Sequence, residues 1–532
     1  MPHEDRDPLG HLSRRELLGR GAAAAGALGV ASLLAACGGG SSTAATVGQK
    51  PKRGGIVRLG MSGGGSSDTL DPIQVVSNMD YYRSAALFDN VYYPDTDFVI
   101  QPQLCEPAEP NADATAWTVR LRSGVEFHDG KAIGADDLAY TLNHIFKVPY
   151  SGLAGRFAMV DLKGLKKLDK RTLRVPLKYP FSIFPYALAR LPLIPVGFDA
   201  KNPVGTGPFK FQSFQPGRQS TFARNPNWYG GIWGSAATGT PYVDALQLVD
   251  LPDDTARVNS LLSGQVDGID QVPFGQAASL KAQGLVLFEV PTGNWRPFTM
   301  RVDVPPFNDV RVRQAMRLIV DRQQIVNQAL AGHGKLGKDL YSPQDPVYAS
   351  FNAPQREPDL EQAKSLLRQA GQSDLRVTLT TSPIQAGIVE ASTVLVTQAA
   401  QAGVTISLSQ VDNDTFFGNN YLKWPFAVDW WPPTQYLDEV VVADGPQSKF
   451  NETHWNNPRF SQLYYAALKE TDAAKRIPYE HGMMELQYEQ GGYIIWGFVN
   501  TLDAHSTRLH GLIPTRWGQD FSDSEFWRLW LD

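Results

Sequence analysis

Alternating apolar and polar positions predict short strands along much of the chain. Arg53–Met61, Trp117–Arg122 and Thr172–Leu177 each alternate, the two-residue period of a strand with one buried face. Ala135-Asp136-Asp137-Leu138 starts a helix with acids in its first turn, where the backbone dipole favours them. Pro358-Asp359-Leu360 opens an amphipathic helix: Leu360, Ala363, Leu366, Leu367 and Ala370 recur at helical spacing, and Gly371 ends it. A strand over 376–381, a helical stretch near 384–402 and a strand over 404–408 follow. That βαβ order implies a parallel pair with a right-handed crossover. The fold class is therefore α/β, with no repeat of fixed period.

Residues 1–36 follow another pattern. Ser13-Arg14-Arg15-Glu16-Leu17-Leu18 is a twin-arginine sequence, and Gly21–Ala36 is a short apolar stretch rich in Ala and Gly. This order is that of an export signal. The stretch is short for a permanent span, which needs about 20 mostly apolar residues. Leu34-Ala35-Ala36-Cys37 resembles the lipobox of bacterial lipoproteins, which implies cleavage before Cys37 and lipidation of its thiol. Residues 37–52, with Gly38-Gly39-Gly40-Ser41-Ser42, read as a flexible tether.

Composition narrows the picture. With Cys37 committed to lipid, the second of the 2 cysteines, Cys105, has no disulfide partner and reads as a small buried apolar residue. In residues 1–36, Arg6, Arg14, Arg15 and Arg20 balance Glu4, Asp5, Asp7 and Glu16, so the body carries the whole net charge of −5. A mildly acidic body with interspersed signs excludes a nucleic-acid binder. The 12 Trp offer rigid walls for a binding cleft.

Two short motifs fail on context. Gly60-Met61-Ser62-Gly63-Gly64 has the spacing of a nucleophile elbow, but the chain continues as loop instead of entering a helix. Gly332–Gly337 has the G-x-G-x-x-G spacing but follows a helix, so it reads as a helix cap and loop. The histidines are scattered, with no paired Cys/His set, so no metal site or cofactor is expected.

Eight stretches in order carry a resemblance. They are Leu70-Asp71-Pro72; Leu121–Lys131; Ala135–Leu138; Asn202–Lys210; Arg224–Tyr229; Leu262–Asp267; Pro306–Ala315 with Asp321-Arg322; and Glu361–Gly371. Together they resemble the family-5 extracytoplasmic solute-binding proteins, the oligopeptide, dipeptide and nickel binders of ABC importers. The turn Phe127–Lys131 and the Gly205-Thr206-Gly207-Pro208 stretch are structural signatures: Asp and Gly suit a tight turn, and glycines allow close backbone approach.

The resemblance implies a two-lobe periplasmic-binding-protein-like fold of class II type, with a hinge and an extra subdomain on lobe one. Mapped onto this chain, lobe one takes residues 53–95, 200–292 and 490–532, the extra subdomain 96–199, and lobe two 293–489. The hinge crossings fall near Pro291–Asn294 and Gly491-Gly492. It also implies a lipid-anchored, extracytoplasmic monomer that encloses a short peptide between its lobes and passes it to a permease with ATPase subunits, without chemistry.

In peptide-binding members, an Asp on lobe two that follows a Trp holds the ligand's α-amino group. Here the region is Trp424–Asp438, its interval is shortened, and that Asp has no counterpart. Asp429 precedes Trp431 and is either its substitute or an ordinary strand residue. Of Trp430 and Trp431, adjacent on an alternating strand, one is expected to wall the cleft. Asn294, Trp295 and Arg296 lie just past the first crossing as further ligand candidates, with Arg296 or Arg301 offering a cation for a carboxylate. The loop at Ser62 is expected to face the cleft. The missing Asp leaves a second solute class open: an oligosaccharide, metal chelate or opine-like compound. A serine hydrolase using Ser62 is the remote alternative.

Overall fold

A computed structural model describes residues 50–532 apart from Val76, Tyr150, Arg516 and Gln519. The export sequence, Cys37 and most of the tether lie outside the described residues. No described helix is long and apolar enough to cross a membrane.

An 11-stranded sheet organises residues 51–532. In the first lobe, Ile56–Met61 pairs in parallel with Ala245–Asp250 and Gly268–Ile269. The antiparallel strands Gln219–Arg224 and Phe209–Gln215 extend that edge. In the second lobe, Arg376–Thr381 and Thr405–Gln410 form the expected parallel pair, joined by the helix Ile388–Gln401, and Phe426–Val428 lies inside them. The helix Leu360–Gln369 is capped by Asp359, whose carboxylate accepts from Gln362 N–H at 2.9 Å, and Gly371 follows at φ 70°.

Two long strands, Val286–Met300 and Tyr493–His505, run antiparallel through both lobes and make the sheet continuous. Their register shifts between Val290, opposite Thr501, and Asn294, opposite Val499. Pro291, Thr292 and Gly293 thus bulge against one residue, and the Thr292 hydroxyl donates to Val499 O at 2.7 Å. This bulge lies within the stretch Pro291–Asn294. Along the second strand the packing partner changes between Val499 and Leu502. Ile494, Trp496 and Val499 pack in the second lobe's core, whereas Leu502 and Ala504 pack in the first lobe's. The strand's apolar run carries no mark of the change of lobe. Gly334–Leu336, read from sequence as loop, pairs with this strand.

Residues 109–176 hold a separate four-stranded antiparallel sheet, with the helix Ala135–His144 beside it. The family turns tie this part to the first lobe. Gly205 N–H donates to His128 Nδ1 at 3.2 Å, and His128 Nε2 meets Gly207 O at 3.1 Å. Burial pushes the His128 imidazole down to about 4, so the neutral ring spans the two turns. A Cβ on Gly205 would lie 1.9 Å from Leu87 O, which is why that position needs glycine. Cys105 is buried and its thiol contacts Val91 O at 3.4 Å; burial lifts it to about 12, as an inert apolar residue.

Candidate functional site

A cavity of ≈ 880 Å³ opens between the lobes, within the range that small ligands occupy. The first lobe and extra subdomain bring Tyr81, Asp89, Arg156, Arg190 and Trp228 to its wall, and the chain's last segment adds Glu525 and Trp527. The second lobe brings Tyr421, Asp429, Trp430, Trp431 and Phe450. The wall is thus aromatic on both sides, with a few polar groups set into it.

Contacts between the two sides cross the cleft. Arg156 forms a salt bridge with Asp438, and both side chains are largely buried. Ser182 N–H donates to Leu468 O at 2.7 Å, and Gln435 Nε2 to Phe98 O at 3.3 Å. The lobes are therefore closed on the cavity.

Asp429 lies at the wall just past the strand Phe426–Val428. Its carboxylate accepts from Trp430 N–H at 2.7 Å and Tyr421 O–H at 3.3 Å. Trp431 turns its ring flat against Trp295, with centroids 5.5 Å apart and planes 9° apart, and its indole N–H donates to Glu452 at 2.9 Å. Both Trp430 and Trp431 reach the cavity, where strand alternation allows one. The ladder ends at Val428, and Trp431 is held by a single bridge to Trp295, so the two-residue period no longer applies. Asp429 and Glu452 form a buried carboxyl pair. Burial raises both, Glu452 well above its ordinary range; Asp429 raises Glu452 further, whereas the hydrogen bond with Glu452 favours the charge on Asp429.

The remaining sequence candidates stand behind the wall. Trp295 is fully buried, enclosed by Trp431, Tyr341 and Tyr493. It supports Trp431 instead of touching solute. Arg296, 5% exposed, lies beneath Asp429, and burial lowers it to about 10 while that carboxylate favours its charge. Arg301 is engaged by Asp303 at 2.7 Å. Asn294 donates its amide to Gly518 O at 3.1 Å. Ser62 is buried, with N–H and O–H donated to Asp270 at 2.9 and 2.8 Å. Asp270 captures both donors, and Ser62 does not line the cavity. Among the described residues no group of side chains could hold a metal.

Sequence reasoning missed Tyr81, Asp89, Arg156, Arg190, Trp228 and Trp527. They come from five distant segments, and only the aromatic content signalled such a wall.

Residues 99–449 match the family described as bacterial extracellular solute-binding proteins, family 5. The chain belongs to that family. Like its relatives it is a binding protein of the extracytoplasmic space and not an enzyme. It is 24% identical over 500 residues to the glutathione-binding protein GsiB of Salmonella typhimurium, covering 87% of this chain and 93% of that one. The periplasmic binding protein AgaA of A. tumefaciens, solved with agropinic acid, superposes with a TM-score of 0.75 at 23% identity, over 90% of this chain and 99% of that one. DppA of Helicobacter pylori, solved with the peptide STSA, gives 0.74 at 18% identity, over 90% and 98%.

Proposed function

We propose that this protein captures a short peptide between its lobes and delivers it to an ABC permease with its ATPase subunits. The observation that carries the reading is the closed, aromatic-walled cavity with polar groups contributed from both lobes. In this scheme the open form takes the solute on one lobe. Closure completes contacts such as Arg156–Asp438, and the loaded form is recognised. Ligand favours the closed state only through contacts absent from the open one. The tether and Cys37 would anchor a monomer to the outer face of the membrane or in the periplasm. GsiB and DppA, named for glutathione and crystallised with a peptide, support a peptide-class solute.

A second reading, an opine-like or other non-peptide solute, is favoured by the missing amine-binding Asp and by the likeness to the agropinic-acid complex. Thermal-shift screening against di- to hexapeptides, neutral oligosaccharides and sugar–amino acid conjugates separates them. Stabilisation grows with ligand concentration over Kd, so the absence of any peptide response would sink the peptide reading. Acyl-chain mass on Cys37 tests the anchor.

A further inference from the structure

Most buried arginines in this protein are matched by acids. Arg83 meets Asp68, Asp80 and Asp250, and Arg317, Arg322 and Arg356 share Asp339. Arg313 has no such acid but donates to the carbonyls of Phe307, Gln490 and Gly491. Arg190 is different. It lines the cavity, stacks 4.1 Å over the Trp517 ring, and donates only to Pro433 O, at 3.1 Å. The acids nearby, Asp438 and Glu439, favour its charge, but each has another partner. Asp438 is held by Arg156, and Glu439 accepts from Thr434 while burial lifts it to about 8, leaving it protonated near neutrality. A guanidinium carries five N–H donors. This one lines the binding cavity, and burial works against its charge. Burying a cation is costly unless hydrogen bonds or an opposite charge compensate it, and a carboxylate would supply both.

We propose that Arg190 is the receptor for a carboxylate on the transported solute, which makes the cargo an acid. The inference rests on the solute-binding reading above and extends it to a residue of the extra subdomain. It assigns to Arg190 the role the sequence offered to Arg296 or Arg301. Trp517 holds the guanidinium plane, so a carboxylate can meet it edge-on through two parallel bonds.

The test is calorimetric titration of the purified protein with di- to hexapeptide pools bearing free C-termini, the same pools amidated, a neutral maltooligosaccharide series, and hexose–amino acid conjugates. Free-acid solutes should bind, and amidation or Arg190→Gln should each weaken binding about 10- to 100-fold, the range of charge-assisted hydrogen bonds. The two losses should not add, since they remove one contact. Arg190→Lys should recover part of the affinity. The amidation arm uses the native protein, so it decides the matter even if the variants fail to fold. Amidated peptides binding as well as free acids would overturn the role of Arg190 and leave the peptide reading standing. Acidic conjugates binding through Arg190 with no peptide response would do the reverse. Binding of neutral sugars alone, or of nothing in the panel, would overturn both.

Discussion

Asp89 gives the sharpest check on the electrostatics of the cavity. It sits in the wall, 5% exposed, and accepts from Gln103 Nε2 at 3.0 Å and Trp228 Nε1 at 3.3 Å. Burial outweighs these donors and pushes its carboxyl from 3.8 up to about 7. The folded protein therefore keeps a proton that the unfolded chain gives up near 3.8. Between about pH 4 and 7 the native state binds more protons, so stability falls as pH rises and levels off above about 7. A displacement of that size corresponds to a loss of up to about 4 kcal/mol across the window. Asp89→Asn removes the titration and keeps an acceptor for one of Gln103 and Trp228, which donate to different oxygens; the bond it loses adds a pH-independent offset. Urea unfolding of the native protein and the variant at about pH 4.5, 6, 7.5 and 9 reads the difference directly. The variant should gain on the native protein steadily up to about pH 7.5 and run parallel to it beyond. A constant offset between about pH 4.5 and 7.5 would refute the assignment of a raised carboxyl to Asp89.

Other perturbations separate the wall from what stands behind it. Arg156→Gln leaves Asp438 uncompensated only when the lobes are shut; ligand affinity should fall about tenfold or more, and small-angle scattering should report a larger radius of gyration. Ser62→Ala removes one bond to Asp270 and should cost about 1–3 kcal/mol by urea unfolding, with ligand affinity unchanged. Trp295→Ala empties a fully buried site behind Trp431 and should cost about 3–5 kcal/mol, with a loss of affinity that reports the loosened wall. Gly205→Ala drives a Cβ into Leu87 O and should lower the melting temperature although no ligand group is touched.

What could be read from sequence was local. The helix at Leu360–Gln369 and the parallel pair 376–381 and 405–410 are visible because their periods are complete within one segment. The family turns are visible because Asp, Gly and Pro act on their neighbours. Alternation says that Trp295 and Arg296 face opposite ways, but not which way the cleft lies, and so both became candidates. Ser62 was misplaced because its partner, Asp270, is distant in the chain. Asp429 and the two tryptophans are candidates from their own segment alone, whereas Arg190 and Asp89 gain meaning only from what packs around them. Glu452, bonded to Trp431, gave no signal at all.

The order in which the wall is supplied has a consequence for biogenesis. Tyr81 and Asp89 leave the ribosome early, Arg156 and Arg190 next, the Asp429–Trp431 segment late, and Glu525 and Trp527 within the final residues. The strand Gly268–Ile269 waits for Ala504 and His505 to close its free edge. A nascent chain can complete local helices and hairpins, but the central sheet joins residues hundreds of positions apart, and such long-range closure is slow. Binding competence therefore waits until the segment with Glu525 and Trp527 has joined the wall. Until then the cavity lacks part of its wall and cannot enclose a solute.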